Sequence, residues 1–197
     1  MSGVHAVVIP LGGANFGSLW RACERVGVRA EFSVDPVRIA AASHVILPGV
    51  GAAGPAMEAL RAHDLDRWLP RLRQPILGIC LGLQLLYEAS AEGDTRTLGL
   101  LPGRVDRLAP APVWPHMGWN TVVAERGHPL LDGIDSDSWF YFVHGFAAPV
   151  SPATLASTRF GQPFTAVASH GNVHGTQFHP EKSADAGRRL LANFFAL

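Results

Sequence analysis

Apolar and polar positions fall into two regimes along the chain. Up to Gly93, short apolar runs alternate with stretches whose apolar residues recur at helical spacing. Such alternation marks strand–helix–strand units around a parallel sheet. The pattern predicts strands over 5–9, 28–33 and 44–47. It also predicts a helix over 15–26, with Leu19, Ala22, Cys23 and Val26 on one face. Helices follow over 51–63 and 65–72, the second punctuated by Pro70 and Pro75. A buried strand over 75–79 then runs directly into a helix over 82–89. Beyond Gly93 prolines gather between Pro102 and Pro115, and short alternating strands are expected over 118–123, 139–143, 154–160, 164–168 and 173–178. The last stretch, 183–197, reads as a helix capped by Ser183, with Leu190, Leu191, Phe194 and Phe195 on its apolar side.

Composition narrows the class. The 197 residues fit one large α/β domain, and one domain is expected. With 48% apolar and 16% charged residues the chain can bury a sizeable core, which argues against disorder. Sixteen Lys and Arg balance sixteen Asp and Glu without a basic run, so nucleic acid is a poor partner. No apolar stretch approaches the roughly 18 residues that span a bilayer, and no cationic leader precedes one. Neither secretion nor membrane insertion is expected. Two cysteines are too few for a disulfide framework, consistent with a cytoplasmic chain that keeps them reduced.

Candidate chemistry begins at Gly78-Ile79-Cys80-Leu81-Gly82, where the buried strand passes into a helix. This is the thiol counterpart of the elbow that lifts a nucleophile above the carboxyl edge of a sheet. Flanking glycines let neighbouring backbone approach closely, and the helix N-terminus favours thiolate. The Leu81 N–H is placed to donate to a carbonyl oxygen under attack. The plainer alternative is a buried structural cysteine, as Cys23 is expected to be among its apolar neighbours.

A thiol nucleophile needs an imidazole to take its proton, and the imidazole needs a carboxylate to orient it. Thr176-Gln177-Phe178-His179-Pro180-Glu181-Lys182-Ser183 offers both, ending a strand near the carboxyl terminus. In an extended segment residues two apart project to one side, which would bring Glu181 to His179. A surface His-Pro-Glu turn is the alternative. The crowding of His170, His174, His179 and Glu181 matches no standard zinc spacing, so no metal is expected.

Taken together, Gly78-x-Cys80-x-Gly82-x-Gln84 and the later Gly175-x-Gln177-Phe178-His179-Pro180-Glu181 resemble the class I glutamine amidotransferases. Pro48-Gly49-Val50-Gly51, Pro115-His116-Met117-Gly118-Trp119-Asn120 and Tyr141-Phe142-Val143-His144 are similar to one branch, the glutaminase subunits of imidazole glycerol phosphate synthases. With Asn15 to Ser18 and Lys182-Ser183, the resemblance spans essentially the whole chain. It implies a flavodoxin-like α/β fold, a mostly parallel sheet flanked by helices with extra antiparallel strands. It implies hydrolysis of glutamine through a Cys thioester, without a cofactor, and delivery of ammonia to a cyclase subunit in a heterodimer. Cys80, His179 and Glu181 would form the triad. The Leu81 N–H and an N–H from Val50-Gly51 would hold the oxyanion, Gly49 and Gly51 would admit close backbone approach, and Gln84 would face substrate unless it merely faces solvent. The 115–120 stretch and Lys182 would rim the docking face, with Trp119 and Tyr141 either there or in the core.

Three departures stand out: Pro10-Leu11-Gly12-Gly13-Ala14 where relatives carry Asp and an aromatic, Gly145 where they often carry Ser or Thr, and Phe160 where Tyr is common. Rival readings are a stand-alone cysteine hydrolase, another amidotransferase branch such as that serving pyridoxal phosphate synthesis, and a degenerate scaffold. The hydrolase leaves 48–51 and 115–120 unexplained, and the scaffold leaves an intact triad unexplained.

Overall fold

The computed structural model describes residues 4–11, 16–108 and 114–197. The amino-terminal half supplies β1 (His5–Val8), α1 (Phe16–Arg25), β2 (Arg29–Phe32), α2 (Pro36–Ala41), β3 (His44–Gly49), α3 (Ala53–Arg61), α4 (Leu65–Trp68), β4 (Ile76–Cys80) and α5 (Leu81–Leu86). Short strands follow: β5 (Ala89–Ser90), β6 (Thr95–Arg96), β7 (Arg104–Arg107), β8 (His116–Thr121), β9 (Val123–Ala124), β10 (Trp139–His144) and β11 (Phe146–Ala147). The chain closes with β12 (Thr154–Phe160), β13 (Gln162–His170), β14 (Val173–Thr176) and α6 (Ala184–Phe194).

The central sheet has the order β2-β1-β3-β4-β14-β13-β12-β9. From β2 to β14 neighbouring strands run parallel, and from β14 to β9 they alternate in direction. Two small sheets flank it, a β8–β10 ribbon and the four-stranded set β11-β7-β5-β6. The α/β architecture expected from the alternation is therefore present, with the antiparallel additions that the resemblance implies.

Strand alternation divides the core. Ala6, Val8, Ile46, Leu77 and Ile79 point to the face covered by α1, α6 and the β10 aromatics Phe140 and Phe142. Val7, Val45, Leu47 and Ile76 point the other way, onto Ile39, Met57, Leu60 and the leucines of α5. Every residue of β3 and β4 is buried, as expected for central parallel strands with both faces covered.

Boundaries shift where local chemistry outweighs periodicity. Asn15, the expected helix start, lies outside the described residues, as do Gly12, Gly13 and Ala14. The expected 65–72 helix breaks at Pro70 into α4 and a 3₁₀ turn, Leu69–Arg71. Periodicity missed α2, although Asp35 accepts from the Val37 N–H at 2.9 Å and Pro36 opens the first turn. It also missed the β5–β6–β7–β11 set, whose strands of two to four residues are too short to show alternation. Ser183 does not cap α6 with its side chain. Its Oγ instead donates to the His179 carbonyl at 2.6 Å and accepts from the Tyr141 N–H at 3.0 Å.

Among the described glycines, the closest approach to neighbouring backbone is where α5 meets the sheet. All six residues of α5 are buried. A Cβ on Gly82 would sit 1.7 Å from the Leu47 carbonyl oxygen, and one on Gly78 would sit 2.7 Å from the Gly82 carbonyl carbon. Both obstacles are backbone, so no rotamer change relieves them. Gly82→Ala is expected to cost about 3 kcal/mol or more of stability. The matched change at exposed Gly127, where a Cβ meets nothing within 4 Å, is expected to be near neutral. Urea unfolding midpoints compare the two, and equal midpoints would show that α5 does not rest on β3 in this way.

Candidate active site

Cys80 is the last residue of β4 and adopts φ 55°, ψ −109°, a conformation that non-glycine residues seldom hold. Pairing with β3 on one side and β14 on the other fixes the strand, and buried α5 fixes the exit. Between them the backbone has no freedom to relax. The sulfur is left at the carboxyl edge of the sheet, in a residue only 5% exposed. Cys23, by contrast, is fully buried on α1 with its thiol pKa pushed up to about 12 by burial, the core role expected of it.

His179 follows β14 in extended conformation, its N–H donating to the Tyr141 carbonyl at 2.9 Å. Glu181 is brought to it by a 3₁₀ turn, Pro180–Lys182, not by the extended pairing expected from the sequence. Pro180 favours that turn because its ring presets φ for the first helical position. Glu181 Oε1 lies 2.8 Å from His179 Nδ1, and both side chains are buried. A neutral ring that donates through Nδ1 leaves Nε2 as an acceptor, the tautomer a general base requires. Among the described residues Nε2 has no hydrogen-bond partner. Burial lowers the imidazole's proton affinity, but the adjacent Cys80 sulfur and Glu181 carboxylate outweigh it and hold the pKa above the usual range.

In this conformation the Cys80 thiol donates to the Val143 carbonyl at 3.8 Å and accepts from Gln177 Nε2 at 3.8 Å. The sulfur opens onto a cavity of about 260 Å³. Leu81, Gln84, Val50 and Gly51 line one part of it, and residues 143–146 another. Leu81 begins α5, so its N–H has no acceptor within the helix. Gly49 stands beside Cys80 in the β3–β4 register, and Gly51 turns the chain with φ +100°. Gln84 does not face solvent. It is 5% exposed, and its Nε2 donates to the Phe146 carbonyl at 2.8 Å and to Gln177 Oε1 at 3.2 Å. It therefore braces the cavity wall as well as lining it.

Two contributors receive no role from the sequence, although Gln177 stands within the His179 motif. Gln177, fully buried, links Gln84 to the sulfur. Glu92 lies on a 3₁₀ turn, where Oε2 accepts from the Ala53 N–H at 2.9 Å at the start of α3. Its carboxylate lines the cavity and offers an acceptor for an ammonium group. No motif surrounds Glu92, and only the fold brings it to the cavity that Cys80 lines.

His116 and His144 are buried, and their rings form a directed chain. His144 Nδ1 donates to the Phe146 carbonyl at 2.9 Å, so its Nε2 accepts from His116 Nδ1 at 3.1 Å. Trp119 is half-exposed and packs edge-on against Tyr141 at 5.9 Å, with Lys182 Nζ 5.6 Å from the Tyr141 ring. Among the described residues no group of three or more His, Cys, Asp or Glu side chains is placed to hold a metal ion.

The family profile described as "Glutamine amidotransferase class-I" matches residues 16–197. The chain belongs to this family. Its fold is shared with solved structures of low sequence identity. A crystal structure of a glutamine amidotransferase superposes with TM-score 0.77 at 21% identity, covering 98% of each chain. The structure of PurLQS from Thermotoga maritima gives TM-score 0.75 at 19% identity, again covering 98% of each chain. In sequence the chain is 46% identical over 200 residues to the imidazole glycerol phosphate synthase subunit HisH of Vibrio cholerae serotype O1, covering 98% of each. It is 50% identical over 192 residues to the protein of the same name from Xanthomonas axonopodis pv. citri, covering 96% of each.

Buried histidines give this amidotransferase a reason to lose stability in acid. Burial pushes the pKa of His116 down to about 4, of His144 to about 3 and of His174 to about 4, from an ordinary 6.5. Folded, these rings stay neutral while the unfolded chain protonates near 6.5, so acid favours unfolding. Their contribution is complete above pH 6.5 and is lost as pH falls from there toward 4. His179, shifted the other way, loses its contribution only above 6.5. Urea midpoints are expected to fall steadily from pH 6.5 to 4.5, and a flat profile over that window would contradict the assignment.

Proposed function

We propose that this chain is the glutaminase subunit of an imidazole glycerol phosphate synthase, hydrolysing glutamine and supplying ammonia to a cyclase subunit. The observation that carries the reading is one cavity shared by a cysteine on a strained elbow and a carboxylate, beside a His179–Glu181 pair at 2.8 Å. The names borne by relatives at 46% and 50% identity supply the pathway.

Each group then has a task. His179 takes the Cys80 proton through Nε2, and the thiolate attacks the side-chain amide carbon of glutamine. The carbonyl electrons move onto oxygen, held by the N–H of Leu81 and an N–H of the Val50-Gly51 turn. Collapse expels nitrogen, which takes the proton from His179 and leaves as ammonia, with the acyl group on sulfur. Water attacks this thioester, giving its proton to His179, and collapse releases glutamate and restores the thiol. Glu181 stabilises the imidazolium in both halves. Glu92 accepts from the α-ammonium of glutamine and so sets the distance between the substrate's two ends.

The cyclase docks on the outer face of the β8–β10 ribbon, where Met117 is 63% exposed and Trp119 50%. Large exposed apolar side chains clustered beside Lys182 fit a protein interface better than solvent. No helix among the described residues is long and apolar enough to cross a membrane, and the reading places the protein in the cytoplasm with its pathway.

Cys80→Ala is expected to reduce glutamine hydrolysis to background while the assembled synthase still uses free ammonia; cysteine-independent glutaminase activity would end the reading. Glu92→Gln is expected to raise the KM for glutamine about tenfold, the loss of one charge-assisted hydrogen bond of ~1.5 kcal/mol. An unchanged KM would remove Glu92 from substrate recognition.

A further inference from the structure

Gly145 connects the end of β10 to the start of β11, in the middle of the 143–146 wall that lines the cavity with Cys80. Its φ is not positive, so backbone conformation does not demand glycine here. Space does. A Cβ at this position would lie 2.5 Å from Trp114 Cζ2, 3.1 Å from Cε2 and 3.2 Å from Cη2. The benzo edge of the indole occupies the volume into which any side chain at 145 would grow.

The indole is held there by the strand next to the wall. Arg107 Cζ lies 4.6 Å from the Trp114 ring centroid, a cation–π contact. Arg107 is paired in register with Phe146, and the Leu108 N–H donates to the Gly145 carbonyl at 3.0 Å. The same wall is fixed from within, because the Phe146 carbonyl accepts from both Gln84 Nε2 and His144 Nδ1. Trp114 remains 44% exposed, so its apolar area is not there to fill the core. Its contact with Gly145 instead covers the outside of a wall whose inside faces the substrate cavity.

We propose that Trp114 and Gly145 are one positioning pair, in which the indole takes the place of a residue-145 side chain and holds the 143–146 wall against bound glutamine. The inference rests on the glutaminase reading. Neither residue reacts; both act through the backbone they constrain. Loss of the indole frees the wall, and a side chain at 145 expels the indole. Either change alone weakens glutamine binding, whereas both together restore a filled wall.

The test is a double-mutant cycle of Trp114→Ala and Gly145→Ser on the assembled synthase, reading kcat and KM for glutamine, with Cys80→Ala as the blank. Each single change is expected to raise KM about fivefold with kcat within about twofold, and the double variant to return KM to within about twofold of the unsubstituted enzyme. Trp114→Phe, which retains a ring over Gly145 and the Arg107 contact, is expected to lie between wild type and Trp114→Ala. Multiplicative KM effects in the double variant, or singles without effect on KM, would overturn the pair. Should the double variant fail to fold, Trp114→Phe and Trp114→Ala giving the same KM would overturn it equally. Absence of any cysteine-dependent glutaminase activity in the unsubstituted enzyme would instead overturn the underlying reading.

Discussion

Backbone-to-backbone contact between α5 and the central sheet governs the rest of the site. Gly82 lies so close to the Leu47 carbonyl that no side chain fits between them, and Gly78 meets the first turn of α5 in the same way. With the helix pressed onto the sheet, the chain must turn within one residue as it leaves β4. Cys80 takes that turn at φ 55°. Strain of this kind persists only where the surroundings over-determine it, and here β3, β14 and α5 do so together. The position of the Cys80 sulfur follows from packing rather than from a local preference of its own.

Around the sulfur the walls are built from neutral polar groups, each tied to another. Gln84 and His144, which continues to His116, meet at the Phe146 carbonyl; Gln84 reaches the sulfur through Gln177, and the sulfur itself donates to the Val143 carbonyl. Burial keeps the two imidazoles uncharged, which lets them donate and accept in a fixed direction. Charge is kept apart from these groups, in the Glu181 carboxylate against the His179 ring and in Glu92, which accepts from the Ala53 N–H. This separation matters because an unpaired charge in the wall would compete with the oxyanion for the same donors.

A third layer lies outside the cavity. Arg107, Trp114 and Gly145 couple the flanking β7–β11 pair to the wall that Cys80 touches. The β8–β10 ribbon, which carries exposed Met117 and Trp119, ends at His144 on the same wall. A partner seated on the ribbon therefore bears on a segment that lines the cavity.

Candidate residues that lie close together in the chain could be picked out from residue order alone. Cys80 between two glycines at a strand–helix junction, and His179-Pro180-Glu181 at a strand end, are short motifs, although the 3₁₀ turn that joins His179 to Glu181 is not among the expectations. The parallel core was legible too, since β3 and β4 are buried on both faces and read as unbroken apolar runs. Tertiary structure alone decided what depends on distant segments meeting. Glu92 reaches the cavity that Cys80 lines because α3 and the turn after β5 pack together, and nothing in the residues around it announces this. Ser183 looked like a helix cap but was captured by the His179 carbonyl and the Tyr141 amide, whose nearness no local pattern encodes. Gly145 could be seen as a departure, yet its reason is an indole that precedes the whole β8–β10 ribbon in the chain. Periodicity and motif record the constraints within a turn or a strand; contacts across the sheet are fixed only when the core closes.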